Sequence, residues 1–131
     1  PTHRDSALIV TPHLRELEYL SGIPLSQISR DPRQCALTLA QRYPYLCVAA
    51  KDDFTWIVQE SRQAVSITGN DGLAKGGSGD VLSGIVAAYS CRTAPLEALA
   101  TACHVFGRCG EKAAASMGEN AVKASDIIKY L

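Results

Sequence analysis

The sequence lacks an excess of charge of either sign, and it lacks any long apolar run. Its 131 residues include 13 Lys plus Arg and 13 Asp plus Glu, so the formal net charge is zero. A balanced surface offers no net field that would attract a nucleic acid or a membrane. The apolar runs are broken by charge or glycine well before the about 20 residues that a membrane-spanning helix needs. We therefore expect neither a nucleic acid nor a membrane as a partner.

The sequence also lacks paired cysteines and a recognisable secretory start. Its five cysteines are odd in number and form no C-x-x-C pair, and several of them stand among Ala, Val and Leu. We interpret them as reduced, buried thiols of a cytoplasmic protein. No basic start followed by an apolar run indicates a secretory signal. The chain begins at Pro1 rather than at a methionine, which favours a processed or trimmed piece of something longer.

Two familiar phosphate-binding motifs are absent from the most glycine-rich segment. Residues 69–79 (GNDGLAKGGSG) hold five of the ten glycines. The segment does not end in the Gly-Lys-Ser/Thr of a Walker A loop. It also does not match G-x-G-x-x-G between a strand and a helix, which would indicate a dinucleotide-binding turn. A different kind of glycine-rich loop is therefore expected.

The apolar pattern predicts four strands, which is few for a layered fold. They cover residues 6–10 (SALIV), 45–50 (YLCVAA), 54–59 (FTWIVQ) and 64–68 (AVSIT). Their branched, apolar content is typical of buried strands. The last two strands are expected to form a hairpin-like pair around Glu60-Ser61-Arg62. The small number of strands is explained if the first half of the sheet is missing.

Helical spacing and capping residues predict five helices. Leu14, Leu17 and Leu20 recur at helical spacing before Ser21-Gly22, which closes the helix. The others are expected over 32–43 with Asp31 as N-cap, over 80–89, over 96–115, and over 126–130 with Ser125 as cap. Strands and helices that alternate, followed by a strand pair and a helical tail, indicate a layered α/β domain.

The chemistry-bearing segment is the run of small residues before the helix predicted to start at Asp80. Gly76, Gly77, Ser78 and Gly79 allow a sharp turn that directs several N–H groups at one point, where the helix dipole adds positive charge. Such a turn receives a phosphate or a developing oxyanion, and the Ser78 hydroxyl can add a donor. Asp80 either stabilises the helix start or carries a proton. The residues alone leave both interpretations open.

The longer string GNDGLAKGGSGDVLSGI resembles the signature loop of the NAD(P)H-hydrate dehydratases, a family of the ribokinase-like superfamily with sequences such as GNPGMATGGTGDVLTGI. Three further segments agree in order and spacing: ALIVTPH at 7–13, VAAKDDFT at 48–55 and KASDII at 123–128. The resemblance spans essentially all 131 residues but only the C-terminal half of the family's domain. It implies a ribokinase-like layered sheet with flanking helices, with residues 1–131 forming a single or partial domain.

The resemblance implies a role for each matching residue. Asp80 would be the catalytic acid/base at the hydrated substrate, and His13 would contact the hydrated nicotinamide. Nucleotide contacts would come from Lys51, Asp52, Asp53, Phe54, Thr55, Gly77, Ser78 and Gly79. Loop support would come from Asn70, Gly72 and Gly76. Several residues depart from the family pattern. Asp52 stands where glycine follows the lysine, and Lys75 stands where threonine is usual. Leu14-Arg15 replaces Pro-Gly after His13, and Phe106 stands where a histidine is frequent.

The activity that the resemblance implies is dehydration of NAD(P)H hydrate, with ADP or ATP and with Mg²⁺ held mainly by phosphates and water. No all-protein metal site is expected. The implied partners are the hydrate, the adenine nucleotide, the missing N-terminal half of the domain, a fused or separate epimerase domain, and further copies of the chain in a homo-oligomer.

Other interpretations stay open at this point. From the residues alone, His13 is a helix-entry residue and Lys51 a solvated strand terminus. The chain could also belong to a ribokinase-like kinase that phosphorylates a sugar or a hydroxymethylpyrimidine alcohol. A third alternative is a fragment without catalytic activity.

Overall fold

The computed structural model describes residues 7–131. The chain divides into two compact units between Val65 and Ser66. The first unit contains most of the sheet, and the second contains the glycine-rich loop with its helices. The extent of the domain, single or partial, stays a prediction.

The four predicted strands are confirmed, and their ends differ from the predicted ones by at most two residues. They are β1 (Leu8–Val10), β2 (Leu46–Lys51), β3 (Thr55–Gln59) and β4 (Arg62–Ser66). They lie in sequence order in one sheet. Strands β1 and β2 are parallel with Leu8 opposite Leu46, whereas β2 and β3 are antiparallel with Val48 opposite Val58. Ser6, at the start of the first predicted strand, lies outside the described residues.

The first unit places three helices beside these strands: α1 (Leu14–Ser21), α2 (Leu25–Ile28) and α3 (Pro32–Arg42). Helix α1 ends at Gly22, whose φ of 71° provides the left-handed cap, as predicted. Asp31 caps α3 as predicted, because its carboxylate accepts the N–H of Gln34 at 2.9 Å. The short helix α2 was not predicted, since four residues are too few to show a period.

The core of the first unit lies between β2 and the helices. Residues 46–50 of β2 are all buried. Leu17, Ile28 and Val58 are among the largest fully buried side chains, and they belong to one apolar cluster. Full burial of such side chains contributes about 1.5–3 kcal/mol each relative to exposure. This core fixes the position of the carboxyl end of β2, where Lys51 lies.

The second unit is helical. After a short turn of 3₁₀ helix at Asp71–Leu73 it contains α4 (Ser78–Ser90), α5 (Pro95–Met117) and α6 (Ala124–Ile128). The prediction that Ser125 caps the last helix is wrong. Helix α6 has Lys123 as its N-cap, and the Asp126 carboxylate accepts the Lys123 N–H at 3.0 Å. A carboxylate at the third helical position reaches back to this amide, so the cap does not need a serine.

In the part of the chain from residue 7 onward, none of the helices combines the length and the apolar character that spanning a membrane would require.

Candidate active site

The glycine-rich loop enters α4 through a left-handed turn at Gly77. This residue is the N-cap of the helix, with φ 85° and ψ −11°, and no side chain caps the helix there. A residue with a Cβ is disfavoured in this conformation by roughly 1–2 kcal/mol. Because the turn is completed at Gly77, the helix begins at Ser78 rather than at Asp80 as predicted. Ser78 and Gly79 therefore belong to the first helical turn.

The first turn of α4 is a helix N-terminus, where backbone amides can receive an anion. An α-helix leaves its first N–H groups without intrahelical partners and concentrates positive charge at that end. The first amide to bond back along α4 is that of Val81, which donates to the Gly77 carbonyl at 3.3 Å. The Ser78 amide donates to the Lys75 carbonyl at 3.2 Å. Helical geometry thus leaves the N–H groups of Gly79 and Asp80 directed out of the helix end.

The side chains of Ser78 and Lys75 are both engaged within the second unit. The Ser78 hydroxyl donates to the Lys75 carbonyl oxygen at 2.8 Å. The ammonium group of Lys75 lies 3.5 Å from the carbonyl oxygen of Asn120. The sequence predicts that the Ser78 hydroxyl donates to an anion, whereas in the structure it links the loop to the start of α4.

Asp80 is the third residue of α4, and its side chain is exposed. It lines a groove of about 730 Å³ in the second unit. The groove wall is largely apolar and includes Ile85, Tyr89, Val105, Ile128 and Leu131. Binding pockets for small molecules typically measure about 300–1,000 Å³ and combine apolar walls with a few polar groups. A carboxylate at the edge of such a groove can exchange a proton with a bound molecule.

The residues predicted to support the loop differ in their contacts. Asn70 caps the 3₁₀ turn, since its side-chain oxygen accepts the Gly72 N–H at 3.0 Å. Gly72 is buried in that turn. A Cβ built at Gly76 would meet nothing within 4 Å. The loop shape therefore depends on Asn70 and Gly72 through contacts that Gly76 does not make.

In the first unit, three of the predicted ligand-binding residues lie at one end of the sheet. His13 pairs with Lys51 in a parallel bridge, and the Lys51 N–H donates to the Pro12 carbonyl at 2.9 Å. Thr55 lies opposite Lys51 in the β2–β3 ladder. The structure thus brings together residues that are up to 42 positions apart in the sequence.

The remaining predicted nucleotide contacts form the turn between β2 and β3. Asp52, Asp53 and Phe54 are exposed, with 51% of Phe54 accessible to solvent. The Asp52 N–H donates to the Phe54 carbonyl at 3.1 Å, which closes the turn. The carboxylate that replaces the family's glycine therefore stands on an exposed turn.

His13 is the N-cap of α1, which agrees with its interpretation as a helix-entry residue. Its Nδ1 accepts the Glu16 N–H at 3.2 Å, and its own N–H donates to the Glu16 carboxylate at 2.8 Å. An imidazole that accepts at Nδ1 carries its proton on Nε2 when neutral. Nε2 lies 3.5 Å from the second Glu16 oxygen. The cap thereby selects the ring atom that could donate to a ligand.

Sequence reasoning missed the contact that joins the start of the glycine-rich loop to α5. The Gly69 N–H donates to the Glu111 carboxylate on α5 at 2.9 Å. Glutamate within an alanine-rich helix carries no local signal of such a role. Only the fold brings these two residues together.

Comparison with known proteins identifies the family of this chain. The sequence model of the NAD(P)H-hydrate dehydratase family matches residues 2–131. A bifunctional NAD(P)H-hydrate repair enzyme from Pyrobaculum aerophilum is 37% identical over 130 residues, which is 95% of this chain and 25% of the relative. The chain therefore spans about a quarter of the length of the curated repair enzymes that it matches.

Solved structures show the same fold. The ADP/ATP-dependent NAD(P)H-hydrate dehydratase of Bacillus subtilis, crystallised with ATP and Mg²⁺ and soaked with CoA, superposes with a TM-score of 0.91 at 25% identity. The match covers 99% of this chain and 48% of that one. A ribokinase-like superfamily protein from Enterococcus faecalis gives a TM-score of 0.73 at 25% identity, over 92% of this chain and 41% of that one. The expected ribokinase-like α/β fold is confirmed, and with the match over residues 2–131 this chain belongs to the NAD(P)H-hydrate dehydratase family.

Proposed function

We propose that this chain carries the phosphate-binding turn and the acid/base of an enzyme that dehydrates NAD(P)H hydrate with ADP or ATP. The reaction is a carbon–oxygen lyase step that repairs a damaged cofactor. The observation that carries the proposal is the helix start at Gly77, which no side chain caps and which lies three residues before an exposed carboxylate. Membership of the dehydratase family is the reason for proposing NAD(P)H hydrate as the substrate. The turn at Gly77 is the reason for proposing a phosphate site.

The nucleotide phosphates bind at residues 77–79 in this proposal. Fixed backbone donors stabilise negative charge without having to reorient, and the loss of one such donor commonly costs about 10²–10³-fold in turnover. The α4 dipole adds to this stabilisation. The Ser78 hydroxyl acts indirectly, because it donates to Lys75 and so holds the turn closed.

Residues of the first unit are proposed to contact ligands as well. Lys51 contacts phosphate, and the exposed turn of Asp52, Asp53 and Phe54 together with Thr55 contacts the nucleotide. His13 contacts the hydrated nicotinamide, with Nε2 as its donor. The support for His13 and Lys51 is their pairing at one end of the sheet.

Asp80 is proposed to move the proton. The nucleotide supplies a phosphoryl group that turns the hydrate's hydroxyl into a leaving group. As the hydroxyl oxygen bonds to the terminal phosphorus, the bond from that phosphorus to its bridging oxygen breaks, AMP leaves from ADP (or ADP from ATP), and the hydroxyl proton passes to the Asp80 carboxylate. The carbon–oxygen bond then breaks to release phosphate, and the neighbouring ring carbon loses a proton to the departing phosphate, which restores the double bond of the dihydropyridine ring. A positioned carboxylate typically contributes about 10²–10⁴-fold.

Magnesium fits this arrangement as an ion carried by the nucleotide. Mg²⁺ keeps several waters and is usually bound through one or two carboxylates together with substrate phosphates. Among residues 7–131 no three His, Cys, Asp or Glu side chains gather in one place. The ion would neutralise charge on the phosphate oxygens, while the amides at the α4 start hold the same oxygens.

We propose a cytoplasmic location, because no disulfide joins the five cysteines, which all lie within the described residues. The intact enzyme is proposed to contain the other half of the dehydratase domain and to work with a fused or separate epimerase domain. Assembly into a homo-oligomer remains part of the proposal.

A coupled assay tests the function. Purified protein, as expressed from its own gene, is given NAD(P)H hydrate with Mg²⁺ and either ADP or ATP, and the return of dihydropyridine absorbance is followed. The proposal expects a nucleotide-dependent return. Phosphorylation of a sugar or of a hydroxymethylpyrimidine alcohol, without any return of absorbance, would assign the chain to the kinases instead.

A further inference from the structure

One face of α5 holds the beginning of the glycine-rich loop. His104 and Gly107 are three residues apart, and Gly110 and Glu111 follow Gly107 by three and four residues, which places all four along one side of the helix. Each of them contacts a residue between Thr68 and Leu73. The loop is thus attached along two turns of helix rather than at a single point.

Glu111 adds a charged group to this face of α5. One carboxylate oxygen accepts the Gly69 N–H at 2.9 Å, and the other accepts from the Arg108 guanidinium at 2.6 Å. The Glu111 side chain is 31% exposed and that of Arg108 is 57% exposed, so the carboxylate is partly shielded whereas the ion pair lies at the surface. Hydrogen bonds to a charged acceptor are roughly twice as strong as neutral ones.

Neutral contacts continue the attachment on both sides of Glu111. The Thr68 hydroxyl donates to the His104 carbonyl at 3.2 Å, and the Asn70 amide nitrogen lies 3.5 Å from the Gly110 carbonyl oxygen. A Cβ at Gly107 would stand 2.6 Å from the Thr68 carbonyl carbon, so the loop backbone lies directly against the helix. These contacts hold the loop on both sides of Gly69, and Glu111 accepts the hydrogen bond from the Gly69 N–H.

The same loop leads from Gly69 to the left-handed turn at Gly77, where the nucleotide phosphates are proposed to bind. We propose that Glu111 is a positioning residue for nucleotide binding: its carboxylate fixes Gly69, and through the loop it sets where the Gly77–Gly79 amides stand. This role rests on the proposed function of those amides. A displacement of about 1 Å at a reacting group can lower the reaction rate by as much as about 10²-fold. Hydrogen bonds also weaken steeply away from their preferred geometry, so loss of a distant anchor should weaken phosphate binding by a measurable amount.

The test compares two substitutions of Glu111 with one control. In the protein as expressed from its own gene, Glu111→Ala removes the acceptor, and Glu111→Gln keeps a weaker, neutral one. Glu97→Gln makes the same carboxylate-to-amide change near the other end of α5. ADP affinity is measured by calorimetry alongside the thermal unfolding midpoint. We expect the ADP Kd to rise about 10–100-fold in Glu111→Ala, which is the effect of losing about one hydrogen bond to a charged phosphate, to rise less in Glu111→Gln, and to stay unchanged in Glu97→Gln.

The outcomes distinguish a failure of the proposed function from a failure of the positioning role of Glu111. Wild-type protein that neither binds ADP nor dehydrates the hydrate removes the proposed function, and the positioning role with it. Wild-type activity with an unchanged ADP Kd in Glu111→Ala removes the positioning role alone. If Glu111→Ala does not fold, Glu111→Gln decides, because an unchanged Kd in that variant overturns the role. A lower unfolding midpoint with unaltered ADP affinity would make Glu111 a merely structural residue.

Discussion

The hydroxyl of Ser78 donates to the carbonyl oxygen of Lys75 at 2.8 Å, across the turn that leads into α4. The Ser78 amide donates to the same oxygen at 3.2 Å. One carbonyl therefore holds both donors of a residue whose family position suggests direct contact with phosphate. In the proposed site, both donors of Ser78 therefore shape the turn, and the amides of Gly79 and Asp80 receive the phosphate.

Replacing Ser78 with alanine tests this assignment. Loss of a single hydrogen bond of this kind lowers the free energy of unfolding by about 0.5–1.5 kcal/mol. We expect that loss in Ser78→Ala, measured by urea unfolding, with little change in ADP affinity. Ser83→Ala is the matched control, since that hydroxyl only bonds back to the Gly79 carbonyl within the same helix. A Ser78→Ala variant of normal stability with sharply weakened ADP binding would show that the hydroxyl contacts phosphate.

Two adjacent glycines provide a second test. Gly77 has φ 85°, and a Cβ there would stand 3.4 Å from the Ala124 Cβ, whereas a Cβ at Gly76 would meet nothing. Gly77→Ala should lower the free energy of unfolding by about 1–2 kcal/mol, the cost of a left-handed residue with a side chain, and should weaken ADP binding. Gly76→Ala should change neither quantity. Equal effects of the two substitutions would contradict the assignment of the turn to Gly77.

The carboxylate of Asp126 predicts how stability depends on pH. The hydrogen bond from Lys129 at 2.7 Å, followed by the one from the Lys123 N–H, lowers the pKa of Asp126. A carboxylate with a lowered folded pKa stabilises the protein above its unfolded pKa of about 3.9, and this contribution disappears as the pH falls through the folded pKa. Asp126→Asn should therefore be less stable than wild type at neutral pH and should approach it in acid.

The partner of Asp126 gives the control for that experiment. The hydrogen bond to Asp126 raises the pKa of Lys129, so its contribution is complete below about pH 10 and is lost as the pH rises through the raised value. Lys129→Met should remove part of the same acid dependence, as measured by thermal unfolding between pH 3 and pH 7. Parallel curves for Asp126→Asn and wild type over that range would show that the pair does not contribute.

The elements that could be predicted from the sequence are those with a strong local pattern. The buried run of β2, the Asp31 cap and the Gly22 stop are each encoded within a few residues, and each lies where the pattern placed it. The start of α4 was missed by two residues because the conformation of Gly77 decides it, and glycine permits many conformations. The four-residue α2 shows no period, so the sequence does not reveal it.

The candidate site likewise has residues that the sequence identifies and contacts that only the fold reveals. The glycine-rich loop and Asp80 are contiguous, and their resemblance to a known family identifies them together. The Glu111 contact to Gly69 joins residues 42 positions apart, and it depends on how α5 packs in the second unit. The pairing of His13 with Lys51 likewise depends on the parallel register of β1 and β2. Contacts of this kind are properties of the fold and have no local signature.

Asp80→Asn tests the central claim most directly, with ADP affinity and the rate of hydrate dehydration measured on the same preparation. The substitution keeps the size of the side chain and removes its ability to accept the hydroxyl proton. We expect ADP to bind at least as tightly as in wild type, because a negative charge beside the phosphates is lost, and turnover to fall by about 10²–10⁴-fold. Turnover close to wild type would exclude Asp80 as the group that moves the proton, and loss of ADP binding without loss of turnover per bound nucleotide would make it a nucleotide contact instead.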